Sequence, residues 1–166
     1  MSAQRHERQA RRQRLGPRGK RSKAYCKELG IEHAVQWIRP VSEGALIEYF
    51  GASDVVVDQF EYGVFGLITP KALSCGAAVV TSYNPELNAW CFETPPPLLA
   101  ASTSEDIAGH IERLRKEPAR LREISHASRE WVKREHSKAR VIEVLLCAGE
   151  RAKENFARKV AAGETH

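Results

Sequence analysis

The sequence predicts an α/β fold, a parallel β-sheet flanked by helices, and three observations carry that prediction. Residues 54–60 (DVVVDQF) and 77–83 (AAVVTSY) are short runs rich in β-branched side chains, which fit a pleated, half-buried surface. Between them, residues 65–76 (FGLITPKALSCG) read as a helix of about ten residues with Pro70 in its first turn, where a missing N–H is tolerated. Short apolar strands alternating with helices are the pattern of βαβ units, in which successive strands run parallel.

The remaining elements follow in chain order. Residues 24–30 (AYCKELG) read as a helix end closed by Gly30, and 35–38 (VQWI) as a short strand. Residues 42–53 (SEGALIEYFGAS) read as a helix with Ser42 as its cap. After the two central strands, residues 93–117 join a proline-rich loop to a helix. There Thr103 and Asp106 have capping-box spacing, and Ile107, Ile111 and Leu114 form one apolar stripe. A helix after Pro118 is expected to bury Leu121, Ile124 and Trp131. A last one carries Val141, Val144 and Leu145 as a structural stripe.

Composition bounds the functional classes. A chain of 166 residues with 42% hydrophobic content fits one globular domain. No apolar run approaches the roughly 18–20 residues of a membrane span, and no signal peptide is recognisable, so a cytoplasmic protein is expected. Cys26, Cys75, Cys91 and Cys147 show neither CxxC pairing nor a histidine at ligand spacing. The expectation is reduced thiols, no metal and no disulfide framework.

The net charge of +5 is unevenly spread. Residues 1–25 hold nine Lys or Arg against one Glu, whereas the other 141 residues hold 17 basic against 20 acidic side chains. The expected organisation is therefore a basic flexible arm at 1–23, an α/β domain at 24–156 and a frayed tail at 157–166. The arm admits a solvated tail or a peripheral contact with an acidic membrane or nucleic acid. No aromatic residue interleaves its arginines to stack on bases, which argues against nucleic acid.

Ligands of parallel sheets bind outside the carboxyl ends of the strands. The turn 61–66 (EYGVFG) lies at such an end. Gly63 and Gly66 allow close backbone approach, and the following helix start offers free N–H groups suited to a phosphate. Asp58 and Gln59 end the strand with polar side chains, able to bond sugar hydroxyls or simply to terminate the strand. Lys71 either pairs with a diphosphate or is an ordinary surface lysine.

These blocks resemble, from about Leu29 to Ser137, the C-terminal, donor-binding half of GT-B retaining glycosyltransferases of the group 1, or family 4, type. The resemblance rests on ELGIEHAVQWI, ASDVVVDQF, FGL…KALSCGAAVV and REWVKREHS, in that order. It implies a partial Rossmann-like sheet, a nucleotide-diphosphate sugar as ligand, hexosyl transfer, no further cofactor, and a separate acceptor-binding domain or protein partner. By position, the family's two donor-contacting glutamates, eight residues apart, fall on Gly63 and Lys71, so neither carboxylate is present. The resemblance further implies that backbone amides near Phe65, Gly66 and Leu67 hold the diphosphate. Asp58 and Gln59 would face the sugar, and Ile38 and Arg39 would line the base pocket. With half a cleft, the chain is expected to be inactive or weakly active alone; the alternative is a catalytically inactive remnant serving as a binding or interaction module.

Overall fold

In the computed structural model, which describes residues 17–163, the chain divides into two compact units, Met1–Val41 and Ser42–His166. The first unit holds helix α1 (Pro17–Glu28) and a single 3₁₀ turn (Glu32–Ala34). Helix α1 closes as expected at Gly30, whose φ of +67° lets the Ile31 N–H reach back 3.0 Å to Cys26 O. It begins at Pro17, inside the stretch expected to be a flexible arm; residues 1–16 of that arm lie outside the described residues. The strand expected at 35–38 does not form. That run pairs with no other strand among the described residues, and Trp37 instead lies with its ring 5.4 Å from Lys23 Nζ.

The second unit carries the sheet. Its elements are α2 (Glu43–Gly51), β1 (Val55–Val57), α3 (Ile68–Cys75), β2 (Ala78–Thr81), α4 (Pro85–Asn88), β3 (Leu99–Ala100), α5 (Ser104–Lys116), α6 (Pro118–His136) and α7 (Lys138–Ala161). The strands are parallel in the order β1-β2-β3, with Val56 opposite Val79 and Val80 opposite Leu99. This three-stranded sheet flanked by helices is the partial Rossmann-like α/β arrangement that the sequence predicts. Strand β3 sits where the sequence reads as proline-rich loop, because two residues are too few to show a period.

Central strand β2 is wholly buried, which explains its continuous apolar run. Helix α3 packs against both α2 and α6, with Ala72 and Leu73 fully buried beside Val79 and Trp131. Ser42 caps α2 by accepting from Ala45 N at 3.4 Å. The Thr103–Asp106 capping box of α5 is complete, with Asp106 N–H donating to Thr103 Oγ1 at 3.1 Å and Thr103 N–H donating back to Asp106 Oδ2 at 3.0 Å.

Three expected stripes are buried unevenly. In α5 Leu114 is buried but Ile111 is exposed; in α6 Trp131 is buried while Leu121 and Ile124 are half-buried. Val141, Val144 and Leu145 are exposed, because α7, beyond its packing on α6, is flanked by an open groove along residues 89–93 and buries none of its residues. The helix continues to Ala161, past the expected domain boundary at 156.

Candidate functional site

The parallel strands aim their carboxyl ends at one side of the sheet, and the loops that leave them build a cleft of about 660 Å³ there. Tyr62 and Gly63 come from the loop after β1, Ser82 to Leu87 from the segment after β2, and Ser102 from the turn after β3. Gly63 is left-handed at φ +65° and lies against Asn84, to which a Cβ added at Gly63 would come within 3.5 Å.

Two asparagines hold this rim. Asn84 caps α4 by accepting from Glu86 N and Leu87 N, and its own N–H donates to Gly63 O at 2.9 Å. The buried Asn88 donates through Nδ2 to Gly63 O at 2.9 Å and accepts from Phe65 N at 3.2 Å. Sequence reasoning did not single out either residue. Asn84 carried a readable signal, a cap residue directly before a proline, whereas Asn88 acts across 25 residues and carried none.

Asp58 and Gln59 are turned to the loop itself. Thr69 Oγ1 donates to Asp58 Oδ2 at 2.8 Å, tying the end of β1 to the first turn of α3. Gln59 donates through Nε2 to Val64 O at 3.0 Å and accepts from Tyr62 N at 3.1 Å, so its amide bridges the turn 59–64 from within. Phe65 is half-buried among Phe92, Trp131 and His136, with ring centroids 4.9, 5.6 and 5.8 Å away. Burial holds the His136 imidazole below its ordinary pKa of 6.5, against an opposing pull from Glu135, and so favours the neutral ring in this stack. Burial likewise raises the Tyr83 phenol at the cleft, with Cys91 adding to the rise.

Of the expected site residues, Gly63 alone lines the cleft. Gly66 and Leu67 stand at the start of α3, and no hydrogen bond among the described residues engages their amides, unlike the Phe65 amide taken by Asn88. Lys71 pairs with Glu43 at 2.7 Å, which holds the Glu43 carboxyl below its usual range through the hydrogen bond and the charge. Ile38 and Arg39 belong to the first unit. Among the described residues no cluster of His, Cys, Asp or Glu could hold a metal ion, and no helix is long and apolar enough to cross a membrane.

In parallel α/β sheets ligands bind outside the carboxyl ends of the strands, and the polar cleft with its glycine-bearing loop lies there. The sequence model of the family described as glycosyl transferase-like matches residues 3–147, and the chain belongs to that family, whose membership points to glycosyl transfer. No curated protein and no solved structure matches the chain.

Proposed function

We propose that this chain is the nucleotide-sugar-binding half of a glycosyltransferase, corresponding to the C-terminal half of a GT-B fold. It would hold a nucleotide-diphosphate sugar for hexosyl transfer and need a separate acceptor-binding domain. The observation that carries this reading is the cleft at the strand ends, rimmed by Gly63 and lined by Tyr62, Tyr83, Ser82, Ser102 and Glu86. Hydroxyls, a carboxylate and two phenol rings suit a polyhydroxylated sugar, and among the described residues no Lys or Arg lines the cleft to attract a phosphate. The diphosphate is better served by the amides of Gly66 and Leu67 at the positive end of α3.

Transfer forms a bond from an acceptor hydroxyl oxygen to the anomeric carbon while the nucleoside diphosphate leaves with the electrons of the broken C–O bond, and the hydroxyl proton passes to the leaving diphosphate or to solvent. Much of its rate comes from holding both substrates in a water-poor, closed site. The residues at the strand ends supply the donor side of such a site. We assign this role to residues 24–156.

One observation favours a second reading, a binding module without turnover. The two positions that the resemblance assigns to donor-contacting glutamates hold Gly63, with no side chain, and Lys71, engaged by Glu43.

Calorimetric titration of the folded chain with UDP, GDP and ADP tests the proposal. Micromolar binding of one of them, lost in Gly66→Leu with the fold retained, is the expected result. No binding to the folded chain overturns donor binding, and binding without transfer to any acceptor in the presence of candidate partners supports the second reading.

A further inference from the structure

We propose that helix α7 is a membrane-surface anchor that lies along an anionic lipid bilayer. The helix runs 24 residues, roughly 36 Å, and none of its residues is buried. At 3.6 residues per turn, Val141, Leu145, Ala152, Phe156 and Val160 fall on one side, with Leu145 and Phe156 each 65% exposed. A stripe of that length and composition is too apolar to be a solvated face and too interrupted by charge to span a membrane.

The position of the charges selects the occupant. Lys138, Lys153 and Lys159 fall on or beside the apolar stripe, positions from which a lysine stem can cover apolar surface while its ammonium group meets a headgroup layer. Glu143, Glu150 and Glu154 fall on the opposite side, together with Arg140, Arg151 and Arg158. A second copy of the chain docked on this stripe would bring six ammonium groups together with no carboxylate between them. An anionic headgroup layer instead meets the lysines with opposite charge, takes the leucine and phenylalanine into its acyl boundary, and leaves the glutamates in water.

Two further observations agree. The match to the family covers residues 3–147, so the second half of α7, with Phe156 and two of the three lysines, lies outside the matched residues. Ile142 and Leu146, 56% and 64% exposed, broaden the apolar side beside Phe156 and Val160.

Co-sedimentation of the full chain with vesicles of phosphatidylcholine alone, or mixed with phosphatidylglycerol, tests the proposal. Binding to the mixed vesicles only is expected, weakened by salt. The exposed double variant Leu145→Asp/Phe156→Asp, its helicity checked by circular dichroism, should lower the partition coefficient by more than about tenfold. Replacing Lys138, Lys153 and Lys159 with Gln should lower it by about tenfold at low salt. Undiminished binding of the double variant would transfer the contact to the basic arm at 1–23 and overturn the proposal. So would absence of binding to either vesicle, equal binding to both, or a dimer in sedimentation velocity that the double variant dissolves.

Discussion

Lys71 Nζ lies 2.7 Å from Glu43 Oε1, joining α3 to the first turn of α2. The pairing explains how a lysine is held at the position where the resemblance expects a ribose-contacting carboxylate. It also commits the ammonium group to a neighbouring helix. Exposed ion pairs contribute little to stability, so Lys71→Met should leave the unfolding midpoint nearly unchanged and nucleotide affinity within about twofold of the parent. Calorimetry on both proteins checks this. A large loss of affinity would show that Lys71 leaves Glu43 to meet the diphosphate.

The Thr69–Asp58 bond makes a sharper case. Thr69 is fully buried, and its hydroxyl donates to a carboxylate at 2.8 Å. Thr69→Val removes the donor and should cost about 1–3 kcal/mol in urea unfolding. Asp58→Asn keeps an acceptor oxygen for the threonine and should cost less. If Asp58 fastens the loop rather than contacting the sugar, the Asn variant will bind a nucleotide sugar as the parent does; a selective loss of sugar affinity would return Asp58 to the ligand.

What the sequence made readable were the features whose cause is local. The βαβ core from Val55 to Thr81, the Ser42 cap and the Thr103–Asp106 box each depend on residues within a few positions of one another, so composition and spacing expose them. A cleft lies at the strand ends, where the sequence puts a ligand, and of the expected residues Gly63 lines it. Asp58 and Gln59 were legible as polar strand-end residues; their partners Thr69 and Val64 decide that they bond inward. Asn88 acts across the chain on Gly63 and Phe65, and no pattern announces that. The stripe of α7 reads in the sequence as structural, yet whether such a stripe is covered depends on elements elsewhere, and here it stays exposed.

Gly76 ends α3 at φ +82°, and a methyl group there would run into the Arg129 guanidinium, which donates through Nη2 to Cys75 O at 2.7 Å and through Nη1 to Ser125 Oγ at 2.8 Å. The cation thus satisfies a carbonyl at the negative end of the helix. Gly76→Ala should cost about 1–2 kcal/mol from the left-handed backbone, plus whatever displacement of Arg129 adds. The two parts separate in a cycle with Arg129→Ala. In that background the alanine meets no guanidinium and should cost the backbone part alone. Equal costs in both backgrounds would mean that Arg129 moves aside freely.

His136 stacks at 11° on Phe65 with centroids 5.8 Å apart, and also touches Phe92 and Trp131. Its folded-state pKa lies below the ordinary 6.5, chiefly through burial, although the adjacent Glu135 pulls the other way. Below 6.5 the unfolded chain therefore takes up a proton that the folded chain resists. Stability is complete above that pH and declines as the pH falls from 6.5 through the folded value, where the slope ends. The carboxylates held low by their partners, Glu43, Glu105, Asp106, Glu112 at about 2, and Glu130, contribute only at still lower pH, below the ordinary glutamate value of 4.5. Unfolding free energy measured between about pH 7 and pH 5 therefore separates the histidine from these carboxylates. His136→Phe keeps an aromatic ring in the stack without a titrating proton and should flatten the profile across that window. A variant whose stability falls with acid as steeply as the parent's would place the pH dependence elsewhere. The same substitution should leave the neutral-pH stability close to that of the parent, since the ring contacts with Phe65, Phe92 and Trp131 are preserved.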